Sequence, residues 1–183
     1  MRDPAPPYAC EGAHALWHVS ENASIARFEP HVSRTAETSE PLVWAVDTRH
    51  LPLFWFPREC PRGTFWATPD TTAVDAELLA GATRVHAVEG AWLERIRAAQ
   101  VVAYRLPEET FIRHTEVGGY WISREPVVPE ETTELGDLLE LHVRAEIELR
   151  LVGNLWPLWN RVCESTLEFS GIRLRNAASV PVS

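Results

Sequence analysis

The chain of 183 residues carries 17 basic and 26 acidic side chains, a formal net charge of −9, and every basic residue is arginine. Without lysine, Schiff-base catalysis, pyridoxal-phosphate attachment and a Walker-type phosphate loop are excluded, since each needs an ε-amine on a flexible stem. The negative surplus argues against a protein held mainly by nucleic-acid backbones, whereas an apolar share of 45% with 8 tryptophans supplies a core and excludes a disordered chain.

Residues 1–13 are proline-rich and read as a flexible arm. Ala15 to Ser20 (ALWHVS) is the first expected strand and carries His18. SIARFEP reads as a single helical turn or bend closed by Pro30, and RTAETSEP as a polar loop. The uninterrupted apolar run Leu42 to Val46 predicts a strand buried on both faces. Asp47 and Thr48 are potential caps for a short helix over RHLPLFWFP, ending before Pro57. RGTFWAT, RVHAVEG and AQVVAYRLP predict strands by their β-branched and aromatic content, and TPDTTAVDAELLAG a capped helix stopped by Gly81. AWLERIRAA sets Trp92, Ile96 and Ala99 on one helical face.

GGYWISREPVVP predicts the last strand or two of the main sheet. Beyond it the periodicity is mixed. Leu135, Leu138, Leu139 and His142 keep helical spacing behind a Thr132/Thr133 cap, while LHVRAEIELRL alternates like a strand. The conflict resolves as a helix to about Ala145 and a strand over Ile147 to Val152. Asn154 then caps a helix over LWPLWNRVCESTLEF, with Pro157 in its tolerant first turn, and FSGIRLRNA closes the chain. The expected architecture is α+β: a bent or split, mostly antiparallel sheet with short flanking helices over 14–132, and a helical C-terminal extension over 133–183 packed on the same domain.

Cys10, Cys60 and Cys163 are widely spaced with no Cys-x-x-Cys pair, the pattern of reduced thiols in a cytoplasmic protein. Arg58 and Arg62 flank Cys60 and could depress its pKa, but without a paired motif a bystander thiol is the simpler reading. No apolar run approaches the ~18 residues of a spanning helix, so neither export nor membrane insertion is expected. Dinucleotide, zincin, hydrolase-elbow and EF-hand motifs are absent. His14 and His18, on one face of a strand, would stand ~13 Å apart, too far for one metal ion.

The histidine of LWHVS reads either as a ring hydrogen-bonded to backbone or as a ligand contact. The tryptophans read as core or as pocket walls. Carried in order, LWHVSENASIARFEP, PLVWAVDTRHLPLFWF, VVAYRLPEETFIRHT and YWISREPVVP resemble the motif succession of small ADP-ribosyltransferase-like domains, and with LWPLW and FSGIRLRNA they resemble a bacterial family of unknown function. The resemblance implies a cleft for NAD or another ADP-ribose-bearing nucleotide, with ADP-ribosyl transfer or NAD hydrolysis as its chemistry. It implies that His18 contacts the adenosine ribose, with Ser20 of the same motif as a cofactor contact, and that Trp44 or Trp55 supplies a stacking ring, with Tyr120 as a further cofactor contact. Tyr120-Trp121 stand where the resemblance expects the third motif's glutamate, and the catalytic residues it implies are His18 with the nearby carboxylates Glu116 and Glu125. Because lysine is absent, a diphosphate would fall to Arg27, Arg49, Arg58 or Arg62. A non-catalytic interaction module with a Trp-lined cleft is the alternative.

Overall fold

The computed structural model describes residues 15–32, 39–114 and 119–180. The arm over 1–13 and residues 34–38 of the polar loop lie outside them. In chain order the elements are β1 (Leu16–Ser20), β2 (Val43–Asp47), β3 (Arg62–Trp66), α1 (Ala73–Ala76), β4 (Arg84–Glu89), α2 (Leu93–Ala98) and β5 (Val102–Leu106). They continue with β6 (Ile112–Arg113), β7 (Tyr120–Ser123), β8 (Glu131–Glu134), α3 (Leu138–Arg144), β9 (Glu148–Val152), α4 (Trp156–Cys163) and β10 (Glu168–Ile172). The described chain is thus mixed α+β, with mostly antiparallel sheets.

Contacts gather these elements into two compact units, 1–55 with 100–136 and 56–99 with 137–183. The units interleave along the chain.

The first unit is a six-stranded sheet in the order β6-β7-β2-β1-β5-β8. All its pairings are antiparallel. Alternation sends Leu16, Val43, Ala45, Val102, Tyr104, Leu106 and Trp121 into one apolar core with Phe28, Phe111 and Val127. SIARFEP makes no helical turn: Phe28 is extended and exchanges two backbone hydrogen bonds with Val127 (2.8 and 2.9 Å). The expected helix over RHLPLFWFP shrinks to a 3-10 turn, Leu51–Phe54, with Pro52 in its tolerant first turn and Pro57 barring its continuation.

The second unit is a four-stranded sheet in the order β10-β3-β4-β9, with β4 and β9 parallel. Residues 133–183 therefore supply both of its edge strands as well as two helices. The Thr132/Thr133 cap does not form, since both threonines lie in β8. Gly136, at φ +67°, turns the chain, and Asp137 caps α3 by accepting from the Leu139 and Glu140 amides. The last helix ends at Cys163, earlier than expected, and 168–172 becomes β10.

Sheet and helix meet through a glycine slot. Gly63 and Gly171 face each other across β3 and β10, and the Trp159 indole of α4 lies over both. Phe65, Val85, Ala87, Leu155, Val162 and Leu167 complete that core. Buried Glu89 fixes the start of α4, accepting from the Leu155 amide (3.1 Å) and, with both oxygens, from the Ala178 amide (3.0 Å each).

Candidate functional site

In the first unit, β1 and β2 pair over two residues only, Leu16 with Asp47 and Trp17 with Val46. Beyond that point the Trp44 carbonyl accepts from His18 Nδ1 at 2.8 Å. The imidazole thus takes a backbone acceptor that a continued ladder would have used. Because a carbonyl only accepts, the Nδ1 proton is fixed, and in the neutral ring Nε2 is the acceptor. The ring packs on Phe28 (centroids 4.7 Å apart) and is half-buried, not sealed.

The loop after β1 is organised around the same point. Tyr104, across from His18 on β5, donates its hydroxyl to the Asn22 carbonyl (2.6 Å) and accepts from the Ile25 amide (3.2 Å). Ser20 Oγ accepts from the Asn22 amide (3.1 Å), and Asn22 Oδ1 accepts from the Ser24 amide and hydroxyl. His18 and Ser20 therefore share one sheet face, and their loop is held by its own hydrogen bonds. Arg27 is exposed and paired with Glu29 (2.8 Å).

Trp44 and Tyr120 come together on the opposite face. Their rings meet edge to face at 6.1 Å, with His114 against Trp44 at 5.0 Å and Phe54 against Tyr120 at 6.2 Å. The Trp44 indole nitrogen is buried with no hydrogen-bond partner among the described residues. Trp55 is buried at the end of the 3-10 turn. Arg49 and Glu125 are exposed on the first unit, and Arg58 is exposed on the second. His14, Cys10 and Glu116 lie outside the described residues.

Sequence reasoning missed a buried pair at the end of β2. His50 Nδ1 donates to Asp47 Oδ1 (2.7 Å), and the same oxygen accepts the His50 amide (3.0 Å). Gly119, at φ +62°, passes so close that a Cβ there would overlap His50 Nδ1 and Asp47 Oδ2. Trp17 Nε1 donates to the neighbouring Thr48 hydroxyl (2.8 Å). Asp47 and Thr48 were noticed only as helix caps. The Asp-x-x-His spacing was the signal available, because a turn brings such residues into reach.

Cys60 turns out opposite to what its arginine neighbours suggested. It is fully buried, and burial pushes its thiol up to about 12, outweighing the guanidinium of Arg62. Iodoacetamide at pH 8 is expected to label exposed Cys163 in the native protein and to reach Cys60 only in denaturant. Peptide mapping checks this; native labelling of Cys60 contradicts it. No group of three or more His, Cys, Asp or Glu side chains among the described residues is placed to hold a metal ion. No helix among them is long and apolar enough to cross a membrane.

Two antiparallel-rich sheets with short helices, one bearing a half-exposed histidine locked in a single tautomer, define a mixed α+β protein with a candidate ligand-contact ring. One family match spans most of both units. The chain belongs to a family of unknown function, DUF6886, which matches residues 17–177. No curated protein and no solved structure matches it.

Proposed function

We propose that the first unit binds an ADP-ribose-bearing nucleotide, NAD among them, with His18 Nε2 accepting from a ribose hydroxyl. The observation that carries this reading is the His18–Trp44 carbonyl bond, which fixes the tautomer of a half-buried ring so that Nε2 is its acceptor atom. The division into a six-stranded and a four-stranded sheet supports the ADP-ribosyltransferase-like fold, for which a split sheet is expected. Arg27, beside the His18 loop, is the arginine nearest in sequence for a diphosphate. The reduced thiols Cys60 and Cys163 fit a bacterial cytoplasm.

The residues fit the nucleotide in part. His18 and Ser20 suit a ribose, whereas Trp44 and Tyr120, on the other sheet face, do not suit a ring stacked on the same ligand. The proposal is therefore binding through the ribose, and no bond-breaking step is derived for NAD. The ring cluster of Trp44, Tyr120, Phe54 and His114 favours a second reading, an interaction module that uses its aromatic face.

Thermal unfolding with NAD, ADP-ribose and nicotinamide separates the two. A ligand at 100 times its Kd stabilises by about 2.7 kcal/mol, a shift on the order of 5–10 °C for a chain of this size. ADP-ribose is expected to raise the Tm of wild type and not of His18→Asn, whose side-chain amide can still donate to the Trp44 carbonyl. Equal shifts in both proteins would contradict the His18 contact, and no shift with millimolar ligand would favour the interaction module.

A further inference from the structure

In the second unit, His86 of β4 and His142 of α3 meet in the interior, where both are buried. His86 Nδ1 lies 3.0 Å from His142 Nε2, and His142 Nδ1 lies 2.6 Å from the Leu138 carbonyl of its own helix. The direction of the chain follows from its end. The carbonyl can only accept, so His142 Nδ1 carries the proton; His142 Nε2 then accepts, and His86 Nδ1 donates to it. The pair is neutral, and each ring has spent its one proton. What is left is His86 Nε2, a bare acceptor that is buried and has no hydrogen-bond partner among the described residues.

We propose that this contact is an acid-sensitive latch holding α3 on β4. A third proton has only His86 Nε2 to occupy, and there it would become a buried N–H without an acceptor in an imidazolium without a counter-charge. The surroundings make that state worse. Arg62 on β3 and Arg84 on β4 both disfavour a charge on His86. The loop before β3 offers the Phe56 ring, whose face already carries the Arg62 guanidinium at 5.2 Å. β9 places Leu149 opposite His86, and α3 contributes His142 itself. Burial and these cations hold His86 well below the ordinary histidine value, and burial also lowers His142.

The sign follows by linkage. The rings are neutral in the closed state and free to take up protons when α3 opens. The latch is therefore whole above about pH 6.5, the free imidazole value, and weakens as pH falls below it. The latch lies in the second unit and does not depend on the nucleotide reading.

Hydrogen exchange of the α3 amides, corrected for intrinsic rates, tests the latch in the wild-type protein. Between pH 7.5 and 5.0 their opening equilibrium is expected to rise about thirtyfold for each proton taken up, while α4 and β3 amides change by less. In His86→Phe, which leaves only His142 to take up a proton on opening, the rise should be smaller than in wild type by up to about thirtyfold. Protection of α3 that is flat over this range in wild type overturns the proposal. So does a rise shared equally by α3, α4 and β3, which would mean that the whole unit unfolds together.

Discussion

Trp159→Ala is expected to lower stability by about 3–5 kcal/mol, seen as a fall in the urea midpoint without a change in slope. The indole is 8% exposed, lies over Gly63 and Gly171, and meets Phe169 edge to face at 5.4 Å. Its removal opens a cavity that the rigid sheet cannot close. The converse change probes the same contact from the floor. A Cβ on Gly171 would stand 2.6 Å from Trp159 Cζ2 and 2.7 Å from Leu174 Cδ1, so Gly171→Ala should cost about 1–3 kcal/mol. In the double variant the alanine methyl meets no indole, and its loss should be smaller than the sum of the two single losses. Strict additivity would mean that α4 does not dock through this slot.

Gly119→Ala is expected to cost about 2–4 kcal/mol and to release His50 from Asp47. Two terms contribute, a left-handed backbone that costs an L-residue about 1–2 kcal/mol and overlap with both members of the buried pair. Gly136 separates them. Its φ of +67° is similar, but a Cβ there would meet nothing within 4 Å, so Gly136→Ala should show the backbone term alone. Equal losses at the two positions would remove the close approach at Gly119 from the account. Chemical denaturation gives both values, and the His50 Nδ1–H resonance reports whether the bond to Asp47 survives.

Much of the strand pattern was legible because burial wrote it into residue type. VWAVD, RVHAVE and VAYRL are runs of β-branched, aromatic and small apolar residues, and each forms the strand it suggests. Edge strands were harder. β8 is ETTE, exposed throughout, with no apolar face to alternate, so its threonines passed for a helix cap. β10, EFSGI, follows α4 so closely that its first two residues were read as the end of that helix and the rest as a closing tail, and its Gly171 has meaning only beneath Trp159.

Partner choice between strands was not legible at all. Nothing local says that Val88 sits between Arg62 and Leu151, or that β1 leaves β2 after two pairs. The candidate site shows the same limit. His18 stood out by its position in LWHVS, but that its Nδ1 takes the Trp44 carbonyl depends on that fork. Trp44 and Tyr120 were grouped with it as ligand contacts, and strand parity sends them to the other face. His86 and His142, 56 positions apart, gave no sign of meeting.

The central claim concerns one atom, Nε2 of His18, and nitrogen-15 NMR of the imidazole during titration with ADP-ribose observes it directly. The Nδ1–H resonance should persist in the bound state, held by the Trp44 carbonyl, while Nε2 shifts as it accepts the ribose proton. A Nε2 resonance that stays in place at millimolar ADP-ribose would contradict the proposed ribose contact.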